Sequence, residues 1–145
     1  MLRDLPWSWL VMLAGIGQLA IVVVSLAIPR ILRWREQMTT WRPLIRQMLW
    51  TYAGYIWATN LCFGLVSTIG PRWLLDGSPL AAAVTGFIAL YWGARLIIQF
   101  AYFDRSELPA GPGYRLAEFA MVGLFVYLTL TYCGATLLNL GVFTA

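Results

Sequence analysis

The chain lacks two residue types entirely. Its 145 residues include no histidine and no lysine, and the ten basic residues are all arginine. Without histidine there is no His-ligated haem, no histidine-based zinc site and no serine–histidine triad. Without lysine there is no retinal or pyridoxal Schiff base and no phosphate-binding P-loop. These absences exclude several large enzyme classes, and we expect neither a cofactor nor a metal site.

Carboxylates are also scarce. The chain has only six, and none lies in the middle of an apolar run: Asp4, Glu36, Asp76, Asp104, Glu107 and Glu118. A proton relay of buried carboxylates is therefore not expected. The net charge of +4 does not predict nucleic-acid binding, because the arginines flank apolar segments in the pattern of membrane topology.

Hydrophobic residues are abundant instead. They make up 61% of the chain, and the mean hydropathy of +0.73 lies outside the soluble range. Four apolar runs, at about 7–29, 47–69, 80–103 and 118–141, are each long enough to cross about 30 Å of hydrocarbon. The sequence predicts one all-α domain over residues 1–145, a four-helix transmembrane bundle with no soluble domain. Five arginines follow the first run and only Arg3 precedes it, so this run is predicted to be an uncleaved anchor.

The arginines predict the orientation of the bundle. Seven follow the first and third runs and two lie on the other side: Arg30, Arg33, Arg35, Arg42, Arg46, Arg105 and Arg115 against Arg3 and Arg72. Because positive loops stay in the cytoplasm, both termini are expected outside, in a multi-pass protein of the cell membrane (the inner membrane in a bacterium). The loop from Arg30 to Arg46 also carries Trp34 and Trp41, which favours binding to anionic lipid headgroups.

Arg95 interrupts the third apolar run. A guanidinium stays charged at accessible pH, and placing it in hydrocarbon costs at least about 2.5–3.5 kcal/mol. Three explanations are open: the side chain snorkels to the inner surface, it pairs with Glu118, or it binds an anion such as a lipid phosphate. In the third case Tyr91, Gln99 and Tyr102, on the same side of the helix, would line the site.

Small residues recur on the other side of the third run, at Ala82, Gly86, Ala89 and Gly93. This spacing keeps them on one helical face and predicts the close approach of another helix. One face of the third span should therefore pack tightly. The opposite face, with Arg95, is expected to meet a ligand, a lipid headgroup, a second copy or another membrane protein.

Polar side chains form stripes on the other three runs, with Gln18, Asn60 and Thr129 or Tyr132 at similar depth. Two interpretations are open. The side chains form hydrogen bonds between helices and hold the bundle together, or they line a ligand cavity near the bilayer midplane. In the second case Gln18 and Asn60 would be ligand-binding residues.

The favoured function is a non-catalytic membrane module, which binds an anionic lipid or hydrophobic ligand or serves as an accessory subunit of a larger membrane complex. The alternative is a small membrane enzyme acting on an anionic lipid or isoprenoid, in which Arg95 binds the anion. Glu118, Asp104 or Tyr102 would then transfer protons. Transport is less favoured, since the chain shows no broken helix pair or inverted repeat. No motif identifies a family.

Overall fold

The computed structural model describes residues 6–102 and 111–142. Over these two ranges the chain forms helices and no β-strand. In chain order the α-helices are α1 (Trp7–Ser25), α2 (Ile28–Ile31), α3 (Trp34–Gln37), α4 (Pro43–Ile69), α5 (Pro79–Ala101) and α6 (Pro112–Asn139). Short 3₁₀ turns at Met38–Thr40 and Trp73–Leu75 precede α4 and α5. The all-helical prediction is confirmed for this part of the chain.

Prolines set most of the helix boundaries. Pro43, Pro79 and Pro112 are the first residues of α4, α5 and α6. The first helical N–H has no intrahelical acceptor, and the fixed φ of proline suits that position. Two helices therefore start several residues before the predicted positions 47 and 118. Pro29 has the opposite effect, because it has no N–H to donate to the Ser25 carbonyl four residues earlier. Accordingly α1 ends at Ser25 rather than near residue 29.

The turn before α5 is fixed by hydrogen bonds at both ends. Ser78 Oγ accepts from the Ala81 N–H at 3.1 Å and caps α5. The Ser78 hydroxyl and N–H both bond to the carboxyl of Asp76, which lowers the pKa of this exposed group. Gly77 adopts φ +75°, which a residue with a Cβ rarely does, and its N–H donates to Asn139 Oδ1 at 3.0 Å. The turn is thereby attached to the end of α6.

The four long helices pack as two antiparallel pairs, α1 with α4 and α5 with α6, and contacts between α1 and α6 join the pairs. The core lies where the two pairs meet. Its buried apolar residues are Val11, Ala14, Leu74, Ile88, Ala89, Trp92, Phe125, Leu128, Tyr132 and Ala135. Between α4 and α5 the contact is made by side chains, for example the rings of Phe63 and Phe87, whose centroids are 5.9 Å apart.

The small-residue ladder of α5 contacts α6. A Cβ added to Gly86 would lie 3.5 Å from Thr136 Cγ2, and one added to Gly93 would lie 3.7 Å from Thr129 Cγ2. These are ordinary van der Waals distances, so the helices approach less closely than the spacing suggested. This face of α5 is therefore directed toward α6.

A tighter contact, which we did not predict from the sequence, joins α1 to α4 at Gly15 and Gly64. Both residues are buried. A Cβ added to Gly15 would lie 2.5 Å from Thr68 Oγ1, 2.7 Å from the Thr68 nitrogen and 2.9 Å from the Gly64 carbonyl oxygen. Two of these atoms belong to the backbone, so the neighbouring helix itself would have to move. Glycine at position 15 is therefore required by the approach of the two backbones.

Three helical segments in the described ranges are long and apolar enough to cross a membrane: Trp7–Ile31, which includes α2, Pro79–Ala101 and Pro112–Asn139. Helix α4 has 27 residues but is not among the three. Its length suffices, and its lower apolarity follows from side chains such as Asn60 and Ser67. The predicted second span therefore has the right length and a more polar composition than the others.

We expect Gly15→Ala to destabilise the protein, because the added methyl group meets the backbone of α4. The free energy of unfolding should fall by about 1–3 kcal/mol, measured by thermal unfolding in detergent. Gly123→Ala on α6 is the matched control, since a Cβ there meets nothing within 4 Å. It should be neutral or slightly stabilising, because alanine favours the helix. Equal melting temperatures for the two variants would contradict the close α1–α4 contact.

Candidate functional site

The hydroxyl of Tyr132 is the centre of a buried polar contact between three helices. Gln18 Nε2 on α1 donates to Tyr132 Oη at 2.6 Å, and Ser67 Oγ on α4 lies 2.6 Å from the same oxygen. All three residues are completely buried. Gln18 therefore connects helices, as the first interpretation of the polar stripes predicts, although its Oε1 has no hydrogen-bond partner among the described residues.

A second polar contact lies nearer the end of α6 that follows Tyr132. Thr136 Oγ1 donates to the Tyr132 carbonyl at 2.7 Å and lies 3.1 Å from Thr85 Oγ1 on α5. Asn139 Nδ2 donates to the Leu74 carbonyl at 2.8 Å. Sequence analysis missed Thr85, which is buried. The sequence could have indicated it, because Thr85 is the only polar side chain in the first half of α5.

Arg95 lies in the groove between α5 and α6. Its Nη1 donates to Gln99 Oε1 at 3.1 Å, and its Cζ is 5.2 Å from the centroid of the Phe125 ring. A cation over an aromatic face is attracted by the ring quadrupole. The side chain extends toward the C-terminal end of α5, the direction that snorkelling requires. The guanidinium reaches α6, the helix that also covers the small-residue ladder.

Trp92 adds an unpaired donor next to this groove. Its side chain is 2% exposed, and its ring centroid is 5.2 Å from that of Phe125. The indole Nε1–H has no hydrogen-bond partner in the part of the chain that the structure describes. Buried indoles usually find one. We did not predict Trp92 as a site residue, although it lies three residues before Arg95 on the same side of the helix.

Tyr91 and Asn60 extend the group of side chains around Arg95 toward α4. Asn60 Nδ2 donates to Tyr91 Oη at 2.9 Å and to the Ile56 carbonyl at 2.9 Å. The Tyr91 ring meets the Trp92 ring edge to face, with centroids 5.4 Å apart. The structure thus brings together four of the predicted ligand-binding residues, Arg95, Gln99, Tyr91 and Asn60. Gln18 belongs instead to the contact around Tyr132.

Two of the three candidates for proton transfer lie in the described part of the chain. Tyr102, at the end of α5, is 82% exposed. Glu118 is half-buried on α6, seven residues before Phe125 and on the same helical face. Asp104 lies outside the described residues. An ion pair between Arg95 and Glu118 stays a prediction.

Two other features lie away from this cluster. In the arginine-rich loop, Met38 is buried, and the Trp34 ring lies 5.9 Å from that of Trp50 at the start of α4. A cavity of about 310 Å³ occupies the opposite end of the bundle, lined by Met12, Thr68, Ile69, Gly70, Pro71, Arg72 and Trp73. None of the predicted site residues lines it. Cys62 and Cys133 are exposed and not joined by a disulfide.

We refer to Asn60, Tyr91, Trp92, Arg95 and Gln99, together with the Phe125 ring, as the Arg95 cluster. It combines a cation with several hydrogen-bonding groups between α4, α5 and α6. Comparison with protein-family models, curated proteins and solved structures finds no match to this chain. What the cluster binds is therefore inferred from its own chemistry.

Tyr132→Phe should destabilise the protein, because it leaves the buried Gln18 and Ser67 side chains without their shared partner. We expect a loss of about 1–3 kcal/mol in the free energy of unfolding, measured by thermal unfolding in detergent. Tyr55→Phe is the control, since Tyr55 is exposed. The double variant Gln18→Leu/Tyr132→Phe should lose less than the sum of the single changes. Strict additivity would show that the two groups do not interact.

Proposed function

We propose that all four long helices span the membrane, with both long loops in the cytoplasm and both termini outside. Three helical segments, which contain α1, α5 and α6, are long and apolar enough to cross a membrane. Helix α4 packs antiparallel along α1, and its 27 residues reach about 40 Å at the usual helical rise. Its buried Asn60 and Ser67 donate to or share hydrogen bonds with Tyr91 and Tyr132. Internal partners of this kind lower the cost of polar groups in a bilayer.

We further propose that the protein is a non-catalytic membrane module that binds an anionic lipid or a similar anionic amphiphile at the Arg95 cluster. One observation carries this proposal: the Arg95 guanidinium, positioned by Gln99, contacts the same Phe125 ring as Trp92, whose buried indole N–H has no protein acceptor among the described residues. A planar guanidinium suits phosphate and carboxylate, and its hydrogen bonds to them strengthen where water is excluded.

The exposure of α4 supports access from the lipid. Tyr52 and Ile56 lie one and two turns before Asn60 on the same helical face, and they are 58% and 56% exposed. This face becomes buried only at Asn60. We infer that the Arg95 cluster is approached along this exposed face, between the first half of α4 and the second half of α5. An amphiphile could enter there from the nearer leaflet.

The depth of Arg95 also suits a lipid headgroup. Six residues separate it from Ala101, the last residue of α5, which corresponds to about 9 Å along the helix. The guanidinium points toward that end, since it donates to Gln99 one turn further on. A phosphate drawn slightly below the interface would meet it there.

Arg95→Met should abolish retention of anionic lipid, and Arg95→Lys should retain an intermediate amount, because lysine keeps the charge but loses the planar fork. Native mass spectrometry of protein purified in mild detergent would measure the lipid retained by each variant. Arg72→Met, at an exposed position at the opposite end of the bundle from the arginine-rich loop, is the matched control and should behave as the unchanged protein. Equal retention by all four proteins would refute an anion site at Arg95.

The orientation can be tested by labelling single cysteines in a background where Cys62 and Cys133 are replaced by alanine. Thr40→Cys should react with a membrane-impermeant maleimide only after the cytoplasmic side is exposed, whereas Asp76→Cys should react from outside. Both positions are solvent-accessible. The seven-to-two distribution of arginines is the physical reason. Reaction of both cysteines from one side would show that α4 does not cross the membrane.

A further inference from the structure

The Arg95 cluster contains an unpaired hydrogen-bond acceptor as well as donors. Asn60 is 7% exposed, and its Oδ1 has no hydrogen-bond partner within the described ranges. The orientation of its amide is fixed, because the Ile56 carbonyl can only accept and must face the Nδ2 group. The unpaired atom is therefore the oxygen. A ligand that satisfies it must donate a hydrogen bond.

The unpaired donor of the cluster lies close by. Trp92 is 2% exposed, and its Nε1–H has no acceptor in the described part of the chain. Tyr91 contacts both residues, Asn60 through a hydrogen bond of 2.9 Å and Trp92 through a ring contact of 5.4 Å. The free acceptor and the free donor thus flank the same tyrosine. A buried polar group without a partner is destabilising, so each calls for a complementary ligand atom.

The Arg95 guanidinium and the unpaired groups beside Tyr91 lie at different depths along α5. Tyr91 precedes Arg95 by four residues, one turn or about 6 Å further from the end of α5 and nearer the bilayer centre. The guanidinium points the other way, toward Gln99. A lipid entering from the nearer leaflet would place its anionic group at Arg95 and its chain toward Asn60. The donor that Asn60 needs must then lie on the chain side of the anion.

We propose, on the basis of the anion site inferred above, that the cluster selects a single-chain anionic amphiphile with a free hydroxyl on the chain side of its phosphate. A lysophospholipid has this arrangement. Its phosphate would accept from Arg95 and Trp92, and its glycerol hydroxyl would donate to Asn60 Oδ1. A diacyl phospholipid carries ester oxygens at the same place, which only accept hydrogen bonds and would face another acceptor. Asn60 is thus the residue that determines specificity.

A pair of probes that differ in one hydroxyl tests this proposal. Native mass spectrometry in mild non-ionic detergent would compare 1-acyl lysophosphatidate with its 2-deoxy analogue and with diacyl phosphatidate. The unchanged protein should bind the hydroxyl compound about five- to tenfold more tightly than the deoxy analogue, as expected for one buried hydrogen bond. It should also prefer the hydroxyl compound to diacyl phosphatidate. Because this comparison uses only the unchanged protein, a misfolded variant cannot affect its result.

Two variants separate this inference from the anion site itself. Asn60→Leu, of similar volume but without an acceptor, should bind both single-chain probes equally, at the level of the deoxy analogue. Arg95→Met should lose both. Equal binding of the two probes by the unchanged protein, with binding still lost in Arg95→Met, would overturn the role of Asn60 and leave the anion site standing. Binding that does not depend on Arg95 would overturn both.

Discussion

If the four long helices span a bilayer as proposed, the fold depends on one rule: polar groups in the hydrocarbon must find partners inside the protein. The Tyr132 hydroxyl meets this requirement for α1, α4 and α6 together, through Gln18 and Ser67. Thr85 and Thr136 extend the connection to α5. In an apolar solvent there is little hydrophobic force between helices. These few hydrogen bonds, with the close approach at Gly15, therefore select one arrangement of the four long helices.

Hydropathy and helical periodicity predicted much of this fold. The apolar runs indicated where the long helices lie, and the spacing of Ala82, Gly86, Ala89 and Gly93 correctly predicted a helix contact. Periodicity indicates which residues share a face, but not which helix that face meets. For this reason the sequence did not reveal that the closest backbone approach is at Gly15, where only one small residue of α1 contributes. The helix starts were available from Pro43 and Pro112, which an apolarity window does not detect.

The candidate site was predicted only in part. Arg95 is conspicuous in an apolar run, and Gln99, Tyr91 and Asn60 do lie near it, whereas Gln18 joins a different contact and Tyr102 is exposed. Trp92 could not be singled out, because a tryptophan in an apolar run is ordinary. Its significance comes from an N–H for which packing provides no partner among the described residues. Such a property belongs to the three-dimensional arrangement and has no counterpart in the sequence pattern.

The polar composition of α4 has a consequence for biogenesis. Asn60 and Ser67 find their partners in Tyr91 and Tyr132, which lie on α5 and α6 and leave the ribosome later. If α4 spans the bilayer as proposed, it reaches the insertion machinery before those partners exist. Its stable integration must then wait for the second half of the chain, with α1 beside it through Gly15 and Gly64 in the meantime. A chain truncated after α4 would lack the hydrogen-bond partners of both side chains, so α4 is the helix whose insertion depends most on the completed bundle.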